Sequence, residues 1–267
     1  MHGNIICNIN KIEEVIRIGI KLTDNWFRGH PRTYGNLTPR IFRPGNIPRK
    51  DYEINAIERF RQIAPSLYSN VPGKEDDLDW LILMQHHGAP TRLLDWTENI
   101  LIALYFAVKD EPEHDGEIWT LFPLKLNNEY GFSGMPNSKN VFLQYLSEEV
   151  NYGNKNEFAE SLKLTKIPKY PLAFYPTLNF IRMIVQSSVF TIHPFPDGKN
   201  QIEDLLREKK YLARYIIPAK VKKSLLENLN SLEIKNYRIF PSLDSLSKDI
   251  TSELKNRAHI PLEPPEF

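Results

Sequence analysis

Three stretches of this sequence hold side chains able to do chemistry. The first is Phe27-Arg28-Gly29. An arginine at the end of a short aromatic segment, followed by glycine, can approach a phosphate or carboxylate closely. Its planar fork binds either group bidentately. The plainer reading is a surface arginine in a turn. The second stretch is QHHGAPTRLLDWT, residues 85–97. It crowds His86, His87, Thr91, Arg92, Asp95, Trp96 and Thr97 around a Gly-Ala-Pro turn, directly ahead of the apolar run ILIALYFAV. Adjacent histidines on a helix point in different directions, whereas a zinc motif needs i, i+4 spacing, so no metal site is expected. Capping and packing explain at least one of them. Asp95 is a candidate helix N-cap and a candidate partner for Arg92 or Arg28. Trp96 is a candidate pocket wall. Thr97 offers a hydroxyl near a helix start, where free backbone N–H groups favour anions. The third stretch centres on Gln186 in MIVQSSVFTIH, a polar break in a β-like run that faces either a cavity or solvent. Its two serines have no G-x-S-x-G elbow and no acid–histidine arrangement nearby.

The bulk numbers narrow the class of function. The chain has 267 residues, 41% hydrophobic and 25% charged, enough for one large domain with a real core. Basic and acidic residues number 34 and 33, so there is no whole-chain basic footprint for nucleic acid. The one locally basic segment, KVKKSLLENLNSLEIK, reads first as a solvated amphipathic helix. A single cysteine, Cys7, excludes an internal disulfide and any Cys-rich metal pattern. The N-terminus MHGNIICNINKIEEV does not read as a signal peptide. The apolar run at residues 100–108 is too short to span a bilayer. The expectation is a cytoplasmic chain without a membrane partner.

These residues must be positioned by the elements around them. Asn10 is a candidate cap for a first helix, with Ile12, Val15, Ile16 and Ile20 on one face. NWFRGH reads as a strand ending in a glycine turn, and residues 35–50, with three prolines, as a long irregular loop. Residues 51–66 and DLDWLILMQHH read as helices, the second stopped by Gly88. D-W-T-E, from Asp95, resembles a capping box opening a buried helix through Ala107. GEIWTLFPL reads as a strand, and residues 138–150 are weakly helical. PLAFYP, MIVQSSVFTIH, YLARYIIPA and NYRIF are β-branched or aromatic and read as strands, with a polar helix near 220–230 and another after Asp244. The pattern predicts an α+β fold, with helices mainly from the first half packed on a mixed or antiparallel sheet mainly from the second. An N-terminal helix over 1–20 precedes a single compact domain over 21–267.

The three stretches, in this order, resemble the FRG domain family. The family's first signature is Phe-Arg-Gly, and its second is Q-H-x-G-x-P-T-R-L-L-D-W-T followed by Asn and A-L-Y-F-A. This chain carries Gln85, His86, Gly88, Pro90 through Thr97, Asn99 and ALYFA at 103–107. Weaker likenesses are Gln186 with Phe190-Thr191, and the late IFPSLDSLSKDI. The order of parts is also similar to ADP-ribosyltransferases of the arginine-serine-glutamate class, a fold-level analogy. That analogy implies that Arg28 holds the pyrophosphate or nicotinamide ribose of NAD. It sets Thr91 and Thr97 in the scaffold position and Gln186 near the catalytic glutamate. Glutamine cannot act as a base or stabilise an oxocarbenium ion by charge. Asp95 is then the other carboxylate, with Glu157 and Glu160 more remote.

Three functions follow. The first is an NAD-consuming ADP-ribosyltransferase or NAD glycohydrolase, with Arg28, Asp95, Gln186 and His86 as catalytic candidates. Phe27, Gly29, His87, Thr91, Arg92, Trp96 and Thr97 are its ligand-binding candidates. The second is a nucleotide-binding sensor module in stress or phage defence. The third is a structural ion network of Arg28, Arg92 and Asp95.

Overall fold

Period-two alternation in WFRGH, LLDWT and GEIWTL builds the centre of a sheet, because each of these strands has a partner on both sides. The computed structural model describes residues 5–43, 50–74, 76–129, 132–138, 171–194, 202 and 211–257. In chain order the described elements are β1 (Ile5–Asn8), α1 (Ile12–Lys21), β2 (Trp26–His30), a 3₁₀ turn (Arg40–Phe42), α2 (Lys50–Leu67), α3 (Asp77–His86) and β3 (Leu93–Thr97). They continue with α4 (Ile100–Val108), β4 (Gly116–Leu121), α5 (Pro123–Glu129), β5 (Leu172–Phe174), α6 (Ile181–Val185) and β6 (Ser188–Ile192). The last are β7 (Leu212–Ile217), α7 (Ala219–Ser231), α8 (Asn236–Ile239) and α9 (Leu243–Arg257). The fold is α+β. Seven strands form one mixed sheet in the order β1-β7-β4-β2-β3-β6-β5. β1 runs parallel to β7 and the other pairs are antiparallel. The strands come from both halves of the chain rather than mainly from the second.

The register assigns side chains to two faces. On one face the core is divided. One apolar cluster joins α1, α4 and α7 to Phe27, Ile118, Tyr215 and Ile217. The other joins α2, α3 and Met183 of α6 to Leu93, Leu172, Phe190 and Ile192. On the opposite face a single cluster containing Trp26, Leu94, Trp96 and Trp119 runs across the β2–β3 junction. Full burial of a side chain such as Leu104 contributes about 1.5–3 kcal/mol. β1 pairs with β7, and α1 packs into the first apolar cluster.

α4 lies unusually close to the sheet, and small residues make that possible. A Cβ added at Gly29 would sit 1.8 Å from the Ala103 carbonyl oxygen, and one at Gly116 would sit 2.5 Å from that of Ala107. The alanines of ALYFA, one turn apart, thus ride over glycines on two neighbouring strands. The Phe-Arg-Gly and ALYFA signatures are two sides of one packing contact, and helix approach is what forbids a side chain at position 29.

Several local expectations give way to tertiary context. Asp95 lies inside β3, paired with Phe190 of β6, and Asn99 is the N-cap of α4, accepting from Leu101 N at 2.9 Å. Alternation of Leu94 and Trp96 against Leu93, Asp95 and Thr97 outweighs the capping-box pattern. MIVQSSVFTIH divides into helix α6, a turn at Gln186-Ser187 and strand β6, with Ser187 at φ 46°. NYRI is helical, because the Tyr237 backbone N–H is taken by Asp249 of α9. The expected helix at 138–150 falls almost entirely outside the described residues.

Candidate functional site

The division of the core marks a seam in the sheet. β2 pairs with β4 along its full length, but with β3 only at Phe27–Thr97. Beyond that pair the two strands part, and Arg28 spans the gap. Its Nη1 donates to the Asp95 carbonyl at 2.5 Å and lies 3.6 Å from Asp95 Oδ2. Its Nε donates to His30 Nε2 at 2.9 Å. That ring nitrogen accepts, so the His30 proton sits on Nδ1 and is donated to Glu117 Oε1 at 2.8 Å. Arg214 closes the chain on Glu117 Oε2 at 3.0 Å. The strand register forces this row, since His30 stands opposite Glu117 and Trp119 lies between Arg28 and Arg214.

The QHHGAPTR turn fixes the other wall. Gln85, in the last turn of α3, donates from Nε2 to Asp95 Oδ2 at 2.7 Å and accepts from Thr91 Oγ1 at 2.6 Å. Thr91 in turn accepts from Leu93 N. Both ends of the Gln85 amide are thus committed, and the Asp95 carboxylate is held while remaining half exposed.

Over the seam lies an open cleft of about 220 Å³. Its lining includes Arg28 of β2, Asp95 of β3, Phe106 of α4, and Arg182 and Gln186 of the α6 segment. A second, smaller chamber of about 40 Å³ shares Asp95, Arg182 and Gln186 and adds His86. Gln186 donates Nε2 to the Ile239 carbonyl at 3.0 Å, which leaves its amide oxygen as the acceptor. His86 stacks on Phe180 with ring centroids 4.7 Å apart. Burial, then the charges of Arg182 and His87, lower its pKa to about 4, so it is neutral at neutral pH and has no proton to give as an acid.

The structure brings Phe27, Arg28, Gly29, Asp95, Trp96, Thr97 and Gln186 to one cleft and His86 to its second chamber. Other candidates go elsewhere. Arg92 is completely buried and ion-pairs through Nε with Glu53 Oε2 at 2.9 Å, so it joins β3 to α2 and does not line the cleft. Thr91 is enclosed and acts as an internal fastening. His87 is exposed and meets the edges of His86 and Tyr68. Trp96 borders the cleft with its indole in the opposite cluster, donating to Thr191 Oγ1 at 3.1 Å. Thr97 Oγ1 donates to the Gln186 carbonyl at 2.6 Å and ties β3 to the α6–β6 turn. Glu157 and Glu160 lie outside the described residues. Sequence reading missed Gln85, His30 and Arg182 as site residues. The available signals were a polar residue closing the apolar run LDWLILM and a lone arginine in FIRMIV. Among the described residues no group of three or more His, Cys, Asp or Glu is disposed to hold a metal.

Charge is concentrated here although the chain is near neutral. Arg43, after the 3₁₀ turn, is close enough to oppose the charge of Arg28. Burial alone would raise the Glu117 carboxyl, but the His30 hydrogen bond and the Arg214 charge hold it below its usual range. Burial first, then the neighbouring Arg28 charge, lowers His30 to about 4, and His193 to about 3. An unfolded histidine titrates near 6.5, so below that pH the unfolded chain takes up protons that the folded chain refuses. The stability from neutral His30 is therefore complete above pH ~6.5 and is lost as pH falls towards ~4, on the order of 3 kcal/mol. Urea midpoints should fall across this window more steeply in the wild type than in His30→Gln. Parallel slopes would contradict the assignment.

Among the described residues no helix is long and apolar enough to cross a membrane. Residues 23–116 match the model of the FRG domain family, which covers both walls of the seam and stops short of Arg182 and Gln186. No curated protein and no solved structure matches the chain.

Proposed function

Residues 23–116 match the FRG domain, and from that premise we propose that the cleft of this chain binds NAD or a related nucleotide and cleaves the N-glycosidic bond. The observation that carries the reading is the half-exposed Asp95 carboxylate, held by Gln85 beside Arg28 in the lining of an open cleft. In this reading the Arg28 guanidinium meets the phosphates, two of its nitrogens already being fixed by His30 and Asp95. The Gln186 amide oxygen accepts from a ribose hydroxyl. The carboxylate of Asp95 stabilises the oxocarbenium ion that forms as the bond to nicotinamide breaks and the electron pair leaves with the ring nitrogen. Water, or the nucleophile of an acceptor in the transferase version, then bonds to the anomeric carbon and loses its proton to solvent. The likeness to ADP-ribosyltransferases is part of this proposal.

The test is nicotinamide release from NAD by the purified chain, beside Arg28→Lys, which keeps the charge and loses the fork. Release that is lost in a variant of unchanged melting temperature supports the reading. Absence of both release and NAD binding by calorimetry overturns it. A second reading is a nucleotide-holding sensor module, as in stress or phage defence. It draws on the glutamine, instead of a carboxylate, at position 186, and predicts NAD bound but not consumed.

A further inference from the structure

Arg182 is a cation of the cleft with few ties among the described residues. Its Nε is buried and has no hydrogen-bond partner among the described residues. Its Nη1 reaches only the His86 carbonyl, at 3.5 Å. Its guanidinium lies over the Phe240 ring, 4.7 Å from centroid to Cζ, and Phe240 itself meets Phe106 edge-on. A cation held by a ring face and short of acceptors is oriented without being neutralised. Arg182 borders both chambers, as Asp95 does, and stands on α6, whereas Arg28 stands on β2. The site thus presents two arginines from separate elements to one cleft, whose described lining includes the Asp95 carboxylate.

Arg28 has Asp95 3.6 Å away, whereas among the described residues no carboxylate ion-pairs with Arg182, so the two guanidiniums, on separate elements, can each take one phosphate of a diphosphate. We infer that Arg182 is a second anion-binding residue of this cleft and that the cleft selects a diphosphate over a monophosphate. The inference rests on the nucleotide reading above and adds to it the class of ligand and a residue beyond the matched family region. Burial, with too little from Asp95 to offset it, lowers the Arg182 pKa, as fits a cation enclosed without its anion.

ADP and AMP isolate the second phosphate, because they share the nucleoside. Calorimetry with the full chain should give ADP an affinity roughly 10- to 100-fold above that of AMP, the range of a charge-assisted hydrogen bond. Arg182→Met should remove the preference by weakening ADP while AMP changes little. Arg182→Lys should keep part of it. Circular dichroism melting checks that both variants are folded. Equal binding of ADP and AMP by the wild type, or a preference that survives in folded Arg182→Met, overturns the inference. If NAD binds and depends on Arg28 while Arg182→Met leaves the ADP preference unchanged, this inference fails alone. If NAD, ADP and AMP all fail to bind, both fall together.

Discussion

Asp95→Asn is expected to lower nicotinamide release from NAD by roughly 10²–10³-fold, the usual loss when one preorganised electrostatic stabiliser is removed. The fold should survive. The carboxylate is half exposed, and the main-chain carbonyl that accepts from Arg28 is unchanged by the substitution. The asparagine side-chain oxygen can still accept from Gln85. The effect on binding should have the opposite sign. Removing the negative charge beside Arg28 and Arg182 leaves two cations unopposed, so the product ADP-ribose should bind more tightly to Asp95→Asn than to the wild type. A fall in kcat together with tighter product binding separates a carboxylate that acts on the transition state from one that merely holds the loop. Unchanged release in a folded variant would remove Asp95 from the chemistry.

Arg92→Ala should have the largest effect on stability. Arg92 and Glu53 are both completely enclosed, and burial raises the Glu53 carboxyl despite the arginine next to it. Glu53 also accepts from Arg92 N at 3.2 Å, so the pair anchors the main chain where β3 begins. Removing one partner leaves the other charge buried without its counterion, a loss of about 3–5 kcal/mol. For a chain of this size that corresponds to a drop in melting temperature on the order of 10 °C. Replacing both residues by apolar side chains of similar volume, Arg92→Met with Glu53→Leu, should recover most of the loss. At temperatures where Arg92→Ala is still folded, NAD binding should match the wild type, because Arg92 does not line the cleft. A variant as stable as the wild type, or one that is folded yet unable to bind, would contradict this placement.

The sequence alone determined those features whose cause is local. The aromatic strand ending in Arg28-Gly29, the enclosed helix ILIALYFAV and the α+β class are written in periodicity and composition, because burial of one face follows from the spacing of apolar residues. The grouping of Arg28, Asp95 and Gln186 was legible through family resemblance, not through any local pattern. Tertiary structure alone decided where Asp95 sits. Pairing with β6, 95 positions away from it at Phe190, holds it in a strand, although its local pattern is that of a helix cap. It also decided that Arg92 turns inward to Glu53 while Arg28 reaches across a seam, two arginines in equally polar local settings. His30, Gln85 and Arg182 enter the site through partners far away in the chain. Their hydrogen bonds and charges depend on which strands are neighbours, and strand order is set by packing of the whole core, which no short stretch of residues contains.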